Sequence, residues 1–176
     1  MKLCVVMMDR NFKRKALHEA LDPLCEPVFL FWDDPELKNV ATNSGSIIIT
    51  GSSYRVKDPT SPKIPDFIFK LKVPILAICY GFECIAKKIG TFPDNKLHYY
   101  NKMIEISEPF KIPRKLYRFN HHDYVMEVPK KWIIDIKHND QIWMAHYKNI
   151  IGIQFHPEYH KESAKAFYKA FIQRLH

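Results

Sequence analysis

The chain has 176 residues, 47% of them apolar and 14% aromatic, with a formal charge of +8. That size and composition support one globular domain over residues 1–176, and no run approaches the roughly 18 apolar residues of a membrane-spanning helix. The 27 Lys and Arg residues are scattered, densest at Lys13-Arg14-Lys15, Lys87-Lys88 and Lys130-Lys131, without a zinc-finger, RRM or KH pattern; they read as a solvated surface, and no specific nucleic-acid binding is expected.

The N-terminal MKLCVVMMDRNFKRK has only a short apolar run, interrupted by Asp9 and followed by basic residues. Residues 2–8 therefore read as a buried strand and not as a signal peptide. Phe12, Ala16, Leu17, Ala20, Leu21 and Leu24 recur at helical spacing, which predicts a helix over 12–24 ending near Pro23. A second strand is predicted at 27–32, a polar connection at 33–45 with a helical turn at 35–39, and a third strand at 46–50. The unbroken SIIIT of that third strand is typical of parallel sheets covered on both faces. A loop rich in Gly, Ser and Pro follows at 51–65, then a short helix at 66–71. A fourth strand at 73–78 leads into a helix over 81–89 that stops at Gly90.

Strands alternating with helices predict an α/β fold with an open, mostly parallel sheet and right-handed crossovers. The second half differs. Short strands at 103–106, 132–136, 142–145 and 150–155 predict an antiparallel extension of the sheet. Ala164, Phe167, Ala170, Phe171 and Leu175 mark one face of a closing helix over 160–175.

Cys4, Cys25, Cys79 and Cys84 form no CxxC pair and have no His or Cys neighbours at zinc spacing. They read as free thiols in a reducing, cytoplasmic compartment, with Cys4 and Cys84 packed in the core. No metal or cofactor is expected, and no GxxxxGK[ST] or GxGxxG phosphate loop is present.

Cys79 differs from the other three by position. In an open parallel sheet, function gathers beyond the carboxyl ends of the strands, and Cys79 stands at such an end. Ala77 and Gly81 flank it at two residues on either side, small enough for a sharp strand-to-helix turn that exposes the cysteine side chain. A helix N-terminus at this point would favour thiolate. The alternative is a buried core cysteine, the commoner fate of a lone Cys in an apolar run. Downstream, Pro157 biases His156 to an extended backbone, in which residues two apart point the same way. Glu158 can then hold one ring nitrogen of His156 while the other faces a thiol, giving nucleophile, base and orienter. Taken without Cys79, His156 could be a structural histidine.

PILAICYGFE at 74–83 and GIQFHPE at 152–158 resemble the class I glutamine amidotransferases, whose segments read roughly PILGICYGMQ and GVQFHPE. The resemblance spans nearly the whole chain. TGSSYRV at 50–56 is similar to the family's SGGPxSV loop, and FNHHDYV at 119–125 to the SHGDxV stretch of GMP synthetase amidotransferase domains. LHYYNK at 97–102 is similar to that subfamily's REYG segment. The resemblance implies a flavodoxin-like sheet and a triad of Cys79 as nucleophile, His156 as general base and acid, and Glu158 as orienter. It implies attack on the side-chain amide of glutamine, release of ammonia, and hydrolysis of a γ-glutamyl thioester. By position, backbone N–H groups of Gly51, Ser52 and Tyr80 would form the oxyanion hole. Glu83, Tyr99, His121, His122 and Asp123 would contact substrate.

Four departures stand out. Ala77 replaces the first elbow glycine. Glu83 replaces a glutamine that helps hold the amino-acid end of the substrate; a carboxylate there would repel an α-carboxylate or favour an ammonium. Ser52-Ser53 replaces Gly-Pro, which is expected to loosen the loop. His121-His122 stands where the family has one histidine and a glycine. The expected function is a glutamine amidotransferase of the GMP-synthetase type, working with a separate synthetase subunit. The alternatives are a γ-glutamyl hydrolase acting on another γ-glutamyl amide, and a catalytically silent regulatory or binding subunit.

Overall fold

Alternation along the first strand sorts its side chains onto two faces. Leu3, Val5 and Met7 enter one core cluster; Cys4, Val6 and Met8 enter another. Both clusters are buried, so the central sheet is covered on both sides. The computed structural model describes residues 2–11 and 14–173. In chain order its elements are β1 (Lys2–Met7), α1 (Lys15–Leu21), β2 (Glu26–Phe31), α2 (Leu37–Thr42) and β3 (Ser46–Ile49). A 3-10 turn (Ile68–Lys70) precedes β4 (Ile75–Ile78), α3 (Tyr80–Glu83), β5 (Lys88–Thr91), β6 (His98–Ile106), β7 (Ile112–His121) and β8 (Asp123–Glu127). Then come β9 (Ile133–His138), β10 (Gln141–Tyr147), β11 (Ile150–Ile153), a second 3-10 turn (Pro157–Tyr159) and α4 (Lys161–Gln173).

Seven strands form the main sheet in the order β2-β1-β3-β4-β11-β10-β9. The pairs from β2 through β11 are parallel, while β10 runs antiparallel to both β11 and β9. This is the open α/β sheet with an antiparallel edge that the strand alternation predicts. The closing helix α4 buries Ala164, Phe167 and Phe171 as its spacing requires; Leu175 lies outside the described residues, as does Phe12 at the start of the first predicted helix.

Several elements differ from expectation. The helix predicted over 81–89 is a single turn, Tyr80–Glu83, and residues 88–91 are the strand β5, paired antiparallel with β8. The partner strand outcompetes a weak local helical preference, and Gly90 permits the close crossing: a Cβ there would stand 2.6 Å from the Tyr124 ring. Residues 103–106 do not extend the main sheet. They belong to β6, which pairs with β7 in a separate two-stranded ribbon. β11 pairs parallel with β4 on one side and antiparallel with β10 on the other, so the antiparallel extension starts from it, and α2 lies later than the predicted turn at 35–39.

The register of β4 against β11 builds the site. Ala77 pairs with Gly152 and Ile78 with Ile153, so the residues after each strand emerge side by side, and Cys79 N donates to Ile153 O at 2.7 Å. Gly152 is where the Phe82 ring rests on the sheet; a Cβ there would meet Phe82 Cδ2 at 2.0 Å. Among the described residues no helix is long and apolar enough to cross a membrane.

Candidate active site

Cys79 leaves β4 with φ 49° and ψ −107°, a conformation that non-glycine residues rarely hold and that is characteristic of strained functional turns. The turn closes because Gly81 packs against Ile49, where a Cβ would stand 3.0 Å from the Ile49 Cγ2. The sulfur projects into a cleft of about 520 Å³ whose walls include Asp9, Ser52, Glu83, Asn120, His121, His122, Asp123 and His156.

His156 enters from the chain after β11. Its backbone is extended, φ −111° and ψ 103°, as expected before proline, and its N–H donates to Arg118 O of β7 at 2.7 Å. Its Nδ1 lies 2.7 Å from Glu158 Oε1, and Glu158 Oε2 accepts from the Tyr168 hydroxyl at 3.3 Å. Its Nε2 is buried and has no hydrogen-bond partner among the described residues. Gly51 sits between nucleophile and histidine: a Cβ on it would stand 3.4 Å from Cys79 Cβ and 2.8 Å from His156 Cε1. The three segments thus converge on one cleft, with an imidazole nitrogen and a thiol both on its walls and a carboxylate behind the ring.

The expectation of a ready thiolate is overturned. Burial pushes the Cys79 thiol well above its ordinary range; the Glu83 carboxyl, once ionised, and the Glu158 carboxylate add to this, against hydrogen bonds from Tyr80 N–H and Gln154. The four-residue α3 is too short to offset them. Cys79 rests as a thiol, its S–H directed at Asn120 O at 3.8 Å, so a base must remove the proton. All four cysteines are free.

The loop after β3 is tied down, contrary to the loosening expected from Ser52-Ser53. Asp9 Oδ2 accepts from Ser53 N at 2.9 Å, Ser53 Oγ at 2.6 Å and Ser52 Oγ at 3.5 Å, while Oδ1 accepts from Asn11 N at 2.8 Å. Burial works to raise the Asp9 carboxyl, but these donors outweigh it and hold it below the usual range. Tyr80 points its ring away, its hydroxyl donating to Pro62 O at 2.6 Å, while its backbone N–H faces the Cys79 sulfur.

Of the remaining residues predicted to contact substrate, Glu83, His121, His122 and Asp123 line the cleft. Asp123 is ion-paired with Arg55, whose Nε and Nη2 reach its two oxygens at 3.1 and 2.6 Å, and it accepts from Thr91 Oγ1 at 2.6 Å. Burial pushes its carboxyl up, but Arg55 and Thr91 hold it below its usual value. His121 Nδ1 stands 2.6 Å from Asp123 O and its Nε2 has no partner among the described residues; burial chiefly lowers it to about 4. Tyr99 is not in the cleft. It is 58% exposed on the outer face of the β6–β7 ribbon, with the Arg118 guanidinium over its ring at 4.7 Å.

Two site residues escape sequence reasoning. Gln154 donates from Nε2 to Glu83 Oε1 at 2.8 Å and toward Cys79 Sγ at 3.7 Å, with its Oε1 accepting from Val125 N at 3.3 Å. It precedes His156 by two residues, so strand alternation was the available signal. Asp9 follows β1 at the same carboxyl edge as Cys79, where the rule for parallel sheets directs attention. Among the described residues no group of three or more His, Cys, Asp or Glu side chains is arranged to hold a metal ion.

The family described as glutamine amidotransferase class-I matches residues 6–174. A GMP synthase [glutamine-hydrolyzing] of Petrotoga mobilis is 34% identical over 159 residues, covering 84% of this chain and 31% of the relative. One of Pyrobaculum aerophilum is 31% identical, covering 74% of this chain and 27% of the relative. The chain thus spans about a third or less of the length of these curated relatives. A solved structure described as a GMP synthase subunit from Thermoplasma acidophilum superposes with TM-score 0.79 at 18% identity, covering 99% of this chain and 94% of that one. A glutamine amidotransferase of Thermotoga maritima gives 0.64 at 16% identity, covering 98% and 84%. With a family match running from β1 to the last turn of α4, and the same fold in both solved structures, this chain belongs to the class-I glutamine amidotransferases.

Proposed function

We propose that the chain hydrolyses the side-chain amide of glutamine through a γ-glutamyl thioester on Cys79, and that it supplies ammonia to a separate synthetase chain of the GMP-synthetase type. The observation that carries the reading is His156: one ring nitrogen held by Glu158, the other unpartnered, and Gly51 as the spacer between the ring and Cys79.

The chemistry follows from the resting protonation. Cys79 is a thiol, so its proton passes to His156 Nε2 as sulfur attacks the amide carbon. Glu158 stabilises the resulting imidazolium. Negative charge develops on the amide oxygen, for which the Tyr80 N–H and the backbone of Gly51 and Ser52 are the local donors; one such donor is typically worth about 10²–10³ in rate. The carbon–nitrogen bond breaks, His156 returns its proton to the departing nitrogen, and ammonia leaves. Water, deprotonated by His156, then attacks the thioester; the carbon–sulfur bond breaks, sulfur regains the proton, and glutamate is released. The likeness over 94% of its length to a solved structure described as a GMP synthase subunit supports an acceptor on another chain.

The test measures ammonia and glutamate released from glutamine, by the chain alone and with a candidate synthetase, alongside covalent labelling of Cys79 by a glutamine-mimicking electrophile. Release and labelling that both vanish in Cys79→Ala are expected. Wild-type protein that neither labels nor releases glutamate under either condition refutes the proposal. One observation favours a second reading, hydrolysis of a γ-glutamyl amide other than free glutamine: the buried carboxyl of Glu83 in the cleft, where the family has glutamine. Faster turnover of γ-glutamyl conjugates than of glutamine would select it.

A further inference from the structure

β1 and β3 run parallel with Val6 opposite Ile49, so Asp9 follows β1 beside the loop that opens at Gly51. Two sets of hydrogen bonds join them. Met8 N donates to Thr50 Oγ1 at 3.0 Å, and that hydroxyl donates to Gly51 O at 3.0 Å. In a planar trans peptide the carbonyl and the next N–H point opposite ways, so fixing Gly51 O also fixes the direction of Ser52 N–H. That N–H has no acceptor among the described residues. One residue on, Asp9 Oδ2 takes both donors of Ser53, N at 2.9 Å and Oγ at 2.6 Å, and the Ser52 hydroxyl at 3.5 Å. Ser52 Oγ in turn accepts from Tyr54 N at 3.0 Å. Asp9 is 4% exposed and is steadied through Oδ1 by Asn11 N. Further along, Arg55 is bound to Asp123, so the loop is held beyond Tyr54 as well. The Gly-Pro that the family carries in place of Ser52-Ser53 has no side-chain donor and, at proline, no N–H. There a ring restricts the loop; here a carboxylate does.

We propose that Asp9 is a positioning residue for amide hydrolysis, holding the Ser52 N–H at the developing oxyanion by gripping Ser53. This rests on the hydrolase reading above. Asp9 acts through the loop and not on the substrate, since its two oxygens are already taken up by four donors. Ser53 is exposed, so without Asp9 water satisfies its donors and the loop is free to swing. Gly51 leaves little slack for that motion, because a Cβ on it would stand 3.4 Å from Cys79 Cβ. The amide oxygen gains its charge only in the transition state, so a misplaced donor lowers kcat and barely touches substrate binding. The role is conditional on the serine. A loop restricted by a proline ring at position 53 has little need of Asp9.

The test combines Asp9→Asn and Ser53→Pro, singly and together. It reads kcat and KM for glutamine, and the rate at which iodoacetamide alkylates Cys79, followed on the Cys79 peptide by mass spectrometry. Asparagine keeps the size of the side chain but puts an NH₂ where one carboxylate oxygen stood, so it cannot accept all four donors. Asp9→Asn is expected to lower kcat about 10²-fold, with KM within about threefold. Alkylation is a direct displacement of iodide by sulfur and builds no oxyanion, so its rate stays within about twofold. In the Ser53→Pro background the further cost of Asp9→Asn shrinks to about threefold or less, the non-additivity of two residues that act as one device. If Asp9→Asn does not fold, Ser53→Ala decides: it removes one donor, is expected to lower kcat about fivefold with alkylation unchanged, and an unaltered kcat overturns the proposal. An equal Asp9→Asn loss in both loops, a loss confined to KM, or alkylation that falls in step with turnover also overturns it while leaving the hydrolase intact. No glutamate from wild type and no labelling of Cys79 by a glutamine mimic overturns the hydrolase reading, and this proposal with it.

Discussion

His156 Nδ1 stands 2.7 Å from Glu158 Oε1, while Nε2 of the same ring is buried with no hydrogen-bond partner among the described residues. The carboxylate fixes the tautomer: Nδ1 carries the proton and Nε2 offers a lone pair. Glu158→Gln keeps the shape but puts an amide that can donate in place of an acceptor, which favours the wrong tautomer. Glutamine hydrolysis is expected to fall by about 10³–10⁴ in kcat, with KM changed far less. Steady-state ammonia release by the purified variant checks this, and a change confined to KM contradicts it.

Gly51 is the spacer of the site. A single methyl there would lie 2.8 Å from His156 Cε1, and the imidazole is hemmed in by Glu158 and by its own backbone bond to Arg118. Gly51→Ala is expected to displace the ring and lower kcat by about 10²-fold, the usual cost of a misplacement near 1 Å. Thermal stability should change little by comparison, since the loop is pinned by Asp9. Activity near wild type in a folded Gly51→Ala would show that the ring position is not critical.

The backbone at Cys79 is strained, with φ 49°. Glycine holds such a conformation freely, whereas alanine pays about 1–3 kcal/mol for it. Cys79→Gly and Cys79→Ala both abolish the chemistry, but the glycine variant should be the more stable of the two by about 1 kcal/mol. That is the reverse of their order at an ordinary helix position. Denaturant midpoints of the two variants decide it.

His121 and Glu83 should tilt stability in opposite directions with pH. The folded-state value of His121 is lowered to about 4, so the unfolded chain takes up its proton first. Its contribution is complete above the ordinary histidine value and is lost as pH falls toward 4, by up to about 3 kcal/mol. Glu83 is raised to about 8, so the folded state holds its proton longer, and its contribution is lost as pH rises from the ordinary carboxylate range toward 8. The two slopes partly cancel in wild type. Urea midpoints across this range should rise more steeply with pH in Glu83→Gln and fall toward alkaline pH in His121→Gln. Parallel curves for wild type and both variants would exclude this linkage.

The parts of the site that rest on local backbone rules were legible in the sequence. An elbow flanked by Ala77 and Gly81, and a His-Pro-Glu run held extended by Pro157, follow from short-range sterics. Parts that depend on partners distant in the chain were not. Residues 88–91 look like the end of a helix until β8 offers them a strand to pair with. β7 hides behind Pro113, Arg114, Lys115 and Arg118, although Tyr117, Phe119 and His121 alternate on its buried face. The thiol's protonation is hidden from the sequence for a related reason: the dipole of a long helix would favour thiolate, and the burial and nearby carboxyl groups that outweigh it are properties of the assembled cleft.

The hydroxyl of Tyr168 on α4 reaches back to Glu158 at 3.3 Å, so the carboxylate that steers His156 leans on the last described element of the chain. During synthesis Cys79 emerges well before this prop exists. A nascent chain therefore carries its thiol without an aligned base, and the reactive arrangement comes into being only when α4 docks. Docking of α4 is in this sense the step that sets the Glu158–His156 pair.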